Sequence, residues 1–225
     1  DNQPLELKVN STRVLRVEPN SDDSPNWIAG TSSNYADPGV LGATIAGGGG
    51  GAYSPYYRHS IAGNFGFIGG GLNNSIGSAS GGSDFGGATI GGGFNNTIGT
   101  NASGTFIGGG QGNQIQYFAD YGAIGGGQGN MIGSAADYAT IGGGEQNIIS
   151  SEYGNSWSTI GGGRGNSNSA LGGTIGGGYS NVASGAYATI PGGARNTATG
   201  NNSFAAGLRA KALHAGALVW ADDTE

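Results

Sequence analysis

Eight times the chain sets a β-branched residue just before a glycine-rich turn, as in Thr140-Ile141-Gly142-Gly143-Gly144. A glycine turn after a strand can cradle phosphate with its backbone N–H groups, which would be nucleotide chemistry. A phosphate loop also needs a lysine directly after its glycines, and the only lysines, Lys8 and Lys211, do not follow one. Asp120 and Asp137 each sit four residues before such an isoleucine, so stacked repeats would hold their carboxylates roughly 5 Å apart, the separation of a retaining glycosidase pair. Like charges that close repel, and no His or Lys accompanies them, so they read as solvated loop residues. His59 and His214 lie at opposite ends of the chain and cannot share a metal or triad site within one copy. In a trimer each would meet its own copies near the axis, with the three copies of His214 forming a ring.

An aromatic recurs three residues before the isoleucine, at Phe65, Tyr121, Tyr138, Trp157 and Tyr187. Stacked in register these form a discontinuous stripe on which sugar rings or a partner surface could pack; the competing role is to cover coil corners or pack against neighbouring chains. Thr44, Thr89, Thr140, Thr159, Thr174 and Thr189 directly precede the aligned isoleucine, a pattern seen on ice-binding faces. Phe67, Phe106 and Ala123 interrupt the row, and β-propensity with outward-facing solubility accounts for it.

All of these candidates hang on one repeat. The aligned isoleucines are Ile68, Ile90, Ile107, Ile124, Ile141, Ile160, Ile175 and Ile190, with a looser copy at Ile45, and the steps from Ile68 are 22, 17, 17, 17, 19, 15 and 15 residues. Six residues after each comes an asparagine: Asn74, Asn96, Asn113, Asn130, Asn147, Asn166, Asn181 and Asn196. Two further on stands Ile76, Ile98, Ile115, Ile132 or Ile149, then Asn168, Ala183 and Ala198. The fixed part is constant while the remainder absorbs every insertion, as in a solenoid whose strands stack in register and whose extra residues loop outward. Glycine runs disfavour helix, by roughly 1 kcal/mol per residue relative to Ala. The repeat predicts two short strands per coil, isoleucines as core, glycines as corners and asparagines as a hydrogen-bonded turn ladder. Ten or so turns from Ile45 to Ala205 at about 4.8 Å each make a rod of roughly 45 to 50 Å.

Composition narrows the function. The 225 residues include 52 glycines and 6 prolines, a level that signals disorder when aperiodic and a repeat architecture when periodic. Eight basic against fourteen acidic residues give a formal net charge of −6, so nucleic acid is not expected as a partner. There is no cysteine for disulfides or thiolate metal sites, and no cofactor is expected. No apolar run approaches the ~18 to 20 residues that span a bilayer. The first ten residues lack the features of a signal peptide, so the chain reads as a mature or excised segment. A thin coil buries little apolar surface per residue, which makes packing of several copies around a common axis attractive.

The run from Ser184 to Asp222, and Asn202 to Ala212 (Asn-Ser-Phe-Ala-Ala-Gly-Leu-Arg-Ala-Lys-Ala) above all, resembles the YadA-like head repeats of trimeric autotransporter adhesins. The upstream Ala-Thr-Ile-Gly-Gly-Gly units are similar to a glycine-enriched variant of such heads. The opening segment Pro4 to Pro19 resembles that of bacterial surface and phage-tail-fibre-like proteins that continue into such repeats, sometimes ending in a self-cleaving chaperone domain. The resemblance implies a left-handed parallel β-roll, trimerised along its axis. The longer steps and glycine triplets depart from the family average, and no coiled-coil stalk, anchor or chaperone is recognised in these residues.

The expected architecture is all-β: an N-terminal β-hairpin and connector over residues 1–40, glycine-rich solenoid repeats over 41–200, and a YadA-like repeat with a neck or connector over 201–225. Leu5, Leu7 and Val9 alternate with Glu6 and Lys8, and Val14 and Val17 follow across Asn10-Ser11-Thr12, which reads as a hairpin capping the rod. The expected function is a non-enzymatic, homotrimeric fibre, stalk or adhesive head, extracellular on a bacterial surface or virion-like appendage. Host-surface or glycan contact and end-to-end assembly into filaments are the expected associations. The insertions from Tyr53 to His59 and from Ser78 to Phe85 are candidate specificity loops. A tailspike-like polysaccharide hydrolase or lyase is the alternative, in which new reducing ends or unsaturated products would appear.

Overall fold

The computed structural model describes residues 3–50, 57–78, 86–150 and 156–222. Strand β1 (Leu5–Val9) pairs antiparallel with β2 (Thr12–Glu18) across Asn10 and Ser11, both at positive φ. Strand β2 then pairs antiparallel with β3 (Asn26–Ala29). From β3 onward the direction changes. Trp27 and Ile28 lie parallel to Thr44 and Ile45, and from there the chain is a parallel β-solenoid of about ten turns, with no helix among the described residues.

Two sheets run along the solenoid. The first stacks the residue pairs that end at the aligned isoleucines and continues to Phe204–Leu208 and Leu218–Ala221. The second stacks Tyr35–Ala36, Ser60–Ile61, Ser75–Ile76 and their successors up to Lys211–Ala212. Register holds through every change in repeat length: Ile68 pairs with Ile90 across a 22-residue step, and Ile160 with Ile175 across 15. Since only the corners absorb added residues, an insertion need not shift a side chain from core to surface. A third line of backbone bridges runs through Leu72, Phe94, Gln111, Gln128, Glu145, Arg164, Tyr179 and Ala194. The repeat had suggested two strands per coil, and side chains this varied carry no pattern that would announce a third pairing line.

The interior is narrow. The aligned isoleucines from Ile68 to Ile190 are fully buried, facing Ile98, Ile115, Ile132, Ile149 and then Ala183 and Ala198 of the second sheet. Asn168 takes the place of one of these and is also buried. Its Nδ2 donates to the Gly173 carbonyl at 2.9 Å and the Thr159 carbonyl at 3.2 Å, while its Oδ1 accepts from the Ala170 amide at 3.2 Å. A polar group at the axis is tolerated because its bonding is satisfied locally.

The asparagine row forms a continuous buried ladder. Asn130 Nδ2 donates to the Gly126 and Gly144 carbonyls, each at 2.9 Å, and to Asn113 Oδ1 at 3.2 Å, and its own Oδ1 accepts from the Asn147 amide at 3.0 Å. The two glycine-carbonyl bonds and the amide-to-Oδ1 bond recur from Asn74 to Asn196, and Nδ2 also reaches the preceding Oδ1 from Asn96 to Asn166. The left-handed residue of this corner is the one before the ladder position, for instance Gln146 at φ 55° and Asn95 at φ 59°. The asparagines form the hydrogen-bonded ladder that the repeat suggested, by two-sided amide bonding, and the positive φ of the turn falls to the residue before each of them. Gly144 shows why glycine surrounds them: its φ is 89°, and a Cβ there would collide with the Gly163 carbonyl of the next coil.

Candidate functional site

Each coil turns back into the first sheet through a residue three positions before the aligned isoleucine, and this residue has left-handed backbone throughout. The φ values are 64° at Gly42, 54° at Phe65, 64° at Gly87, 63° at Gly104, 55° at Tyr121, 56° at Tyr138, 44° at Trp157, 64° at Gly172, 58° at Tyr187 and 55° at Asn202. A backbone ladder imposes this geometry, because each amide donates to a carbonyl in the preceding coil: Tyr121 to Ser103 at 2.9 Å, Tyr138 to Asp120 at 2.8 Å, Tyr187 to Leu171 at 2.8 Å. Glycine and asparagine suit such a turn. A bulky side chain there carries strain of about 1 to 3 kcal/mol, the kind that gathers at ligand clamps and contact sites. Five coils nonetheless place Phe, Tyr or Trp at this position.

The five rings are 45% to 57% exposed, so burial recovers only part of that strain. Three consecutive coils stack their rings on one another: Tyr121 and Tyr138 have centroids 5.1 Å apart at 12°, Tyr138 and Trp157 are 6.3 Å apart at 18°. The sequence left open whether the rings present a stripe to a ligand or cover coil corners; here much of the face area of Tyr138 is occupied by its two neighbours. Where the preceding coil carries glycine, the ring leans back over it. A Cβ on Gly104 would lie 2.9 Å from the Tyr121 ring, and one on Gly172 would lie 2.8 Å from the Tyr187 ring. Phe65 stands apart from the stack, over Gly42. Tyr117 and Phe118, an edge-to-face pair with centroids 5.9 Å apart, are exposed on the same corner one turn of backbone from Tyr121, and sequence spacing had not singled them out.

The two aspartates belong to this corner. Asp120 Oδ1 accepts from the Ser103 amide at 2.7 Å, and Asp137 Oδ1 accepts from the Asp120 amide at 2.9 Å, so each carboxylate ties its coil to the one before it. That corrects their reading as plain solvated loop residues. Burial pushes the Asp137 carboxyl above its usual range, the bond from the Asp120 amide opposes this, and the Asp120 charge adds to it. Along the corner as a whole, the described residues include Asp37, Asp120, Asp137 and His214, and no Lys or Arg.

The histidines separate. His214 is exposed in its corner turn. His59 is fully buried as a rung of the asparagine ladder, two residues before Ile61 as Asn74 is before Ile76. Its Nδ1 accepts from the Asn74 amide at 3.1 Å, which puts the ring proton on Nε2, 3.1 Å from the Gly71 carbonyl; its own amide donates to Asn34 Oδ1 at 2.9 Å. A residue enclosed in this way cannot meet its copies on a trimer axis, so that expectation is withdrawn for His59. Burial holds its pKa below the ordinary value, against the opposing effect of its two backbone bonds.

The threonine row lies on the outer face of the first sheet, with Phe67 and Phe106 exposed in the same row. Of the two insertions, residues 53–56 and 79–85 lie outside the described residues. No group of three His, Asp or Glu side chains among the described residues is placed to hold a metal ion, and no helix is long and apolar enough to cross a membrane. Fold and corner together define a parallel β-solenoid carrying an aromatic edge. Comparison with protein-family models, with curated proteins and with solved structures gives no match.

Proposed function

We propose that this chain is a non-enzymatic, rod-forming module of an extracellular fibre or adhesive head, on a bacterial surface or virion-like appendage, whose aromatic edge contacts a glycan or host surface. One observation carries the reading: five half-exposed aromatics occupy left-handed turn positions that the other coils fill with glycine or asparagine. Rings held at a conformational cost, on a backbone that repeated parallel pairing makes stiff, are suited to external contact.

The module acts as a homotrimer in this account. Support comes from the likeness of Asn202 to Ala212 to trimeric adhesin heads and from the outer face of the second sheet, where Met131 and Ile148 are adjacent apolar residues and Val182 follows beyond Ser167. The test is a Tyr138→Ala, Trp157→Ala double variant. Binding to glycan arrays or host cells should be lost while the solution mass stays that of the wild type; loss of the oligomer instead would assign these rings to subunit packing.

A further inference from the structure

We infer that the aromatic edge contains a saccharide subsite, a slot one ring deep between Trp157 and Tyr187, that takes a pyranose ring of a neutral or amino-substituted glycan. The inference rests on the adhesive reading above and names its ligand class. Successive coils from Tyr121 to Trp157 each contribute one ring, and the stack is then interrupted because the next coil carries Gly172. Tyr121 leans back over Gly104 and carries Tyr138 and Trp157 stacked on it in turn, and Tyr187 leans back over Gly172, so the missing ring falls between Trp157 and Tyr187.

Two coil steps separate those rings, about 9.5 Å at the spacing of paired strands. Ring groups stack favourably from about 4.5 Å between centroids, so one flat group fits between the two faces with a contact on each side. A pyranose has that shape and presents C–H groups on its faces with hydroxyls at its rim. The charge of the corner selects among sugars. Asp120 and Asp137 lie on it without any Lys or Arg among its described residues, which disfavours uronates and sialic acids and suits neutral or amino sugars. Both carboxylates turn to the coil before their own, so they bias the field of the corner from the Trp157 side without lining the slot.

The test titrates the full chain with chitotetraose, cellotetraose and maltotetraose by calorimetry and Trp fluorescence, up to about 10 mM, past the millimolar range of weak sugar contacts. Tetragalacturonate is the acidic control. At least one neutral tetraose should bind and the acidic one should not. Gly172→Tyr, which completes the ring stack, and Tyr187→Gly, which removes one wall without backbone strain, should each weaken binding at least tenfold. Phe106→Thr, on the flat face of the first sheet, should leave it unchanged. If Gly172→Tyr and Tyr187→Gly bind like wild type while Tyr138→Ala, Trp157→Ala does not, the slot is wrong and contact along the aromatic edge survives. If no neutral tetraose binds, the saccharide assignment is wrong, and the double variant's adhesion to cells judges the broader reading separately. If Gly172→Tyr changes the solution mass and no sugar binds, the slot receives a second copy of the chain instead.

Discussion

Replacing Asn130 by Ala removes one rung of the ladder. The side chain is fully buried, so every group it served becomes a buried group without that partner. The Asn147 amide loses its acceptor at 3.0 Å, the Gly126 carbonyl loses its donor at 2.9 Å, and Gly144 keeps only the bond from the Gln128 amide. An orphaned buried amide costs about 1 to 3 kcal/mol and each further lost bond about 0.5 to 1.5 kcal/mol, so the variant should be destabilised by roughly 3 to 5 kcal/mol. In a stack where each coil touches only its neighbours, that loss is concentrated near the deletion. Native-state hydrogen exchange should show the Asn147 amide speeding up by at least about a hundredfold, since 1.36 kcal/mol corresponds to a factor of ten. Amides near Asn196 should change less. A loss below about 1 kcal/mol, with exchange at Asn147 unaltered, would show that the ladder does not hold the coils and that the apolar axis alone does.

Two further substitutions probe the turn geometry and the buried imidazole. Tyr138→Ala should be less stable than Tyr138→Gly by about 1 kcal/mol in denaturant melts, the reverse of the usual order within regular structure, because Ala loses the stacking and keeps the left-handed strain while Gly loses both. Equal or better stability of the Ala variant would remove the strain argument. His59 is neutral in the folded chain with its pKa held down, so the unfolded chain takes up a proton first as the pH falls. Its contribution should therefore be full above about pH 6.5 and decline as the pH drops below that value, levelling off below the folded-state pKa. His59→Asn restores the residue used by the other rungs and should flatten this part of the Tm-against-pH curve. Parallel wild-type and variant curves between pH 4 and 7, on the scale where His titrates, would contradict the buried neutral tautomer.

The stacking was legible because its determinants repeat as residue types. Ile at a constant position, Asn six residues later and a second apolar residue two beyond that are enough to set both sheets and their register. The third pairing line was not, since Gln128, Glu145 and Arg164 contribute only backbone to it. The first coil also lacked the signature: Ile28 is followed by Ala29 and a single glycine, yet it pairs with Ile45. His59 was not recognisable as a rung of the ladder for a related reason, because a single residue of another type stands in a row of asparagines and its coil precedes the regular part of the repeat. The aromatic positions were visible, but their meaning was not. The useful signal was Gly42, Gly87, Gly104 and Gly172 alternating with the aromatics in one register, which marks a positive-φ turn and shows that the rings sit where the backbone resists them.

The functional reading depends most on assembly, since a trimer would set three aromatic edges on one rod and cover the apolar side chains of Met131, Ile148 and Val182. Light scattering on the purified chain tests this directly. The account predicts a mass of about 66 kDa, three copies of the 22.0 kDa chain, independent of concentration in the micromolar range that stable homo-oligomers occupy. A stable 22.0 kDa monomer would contradict it.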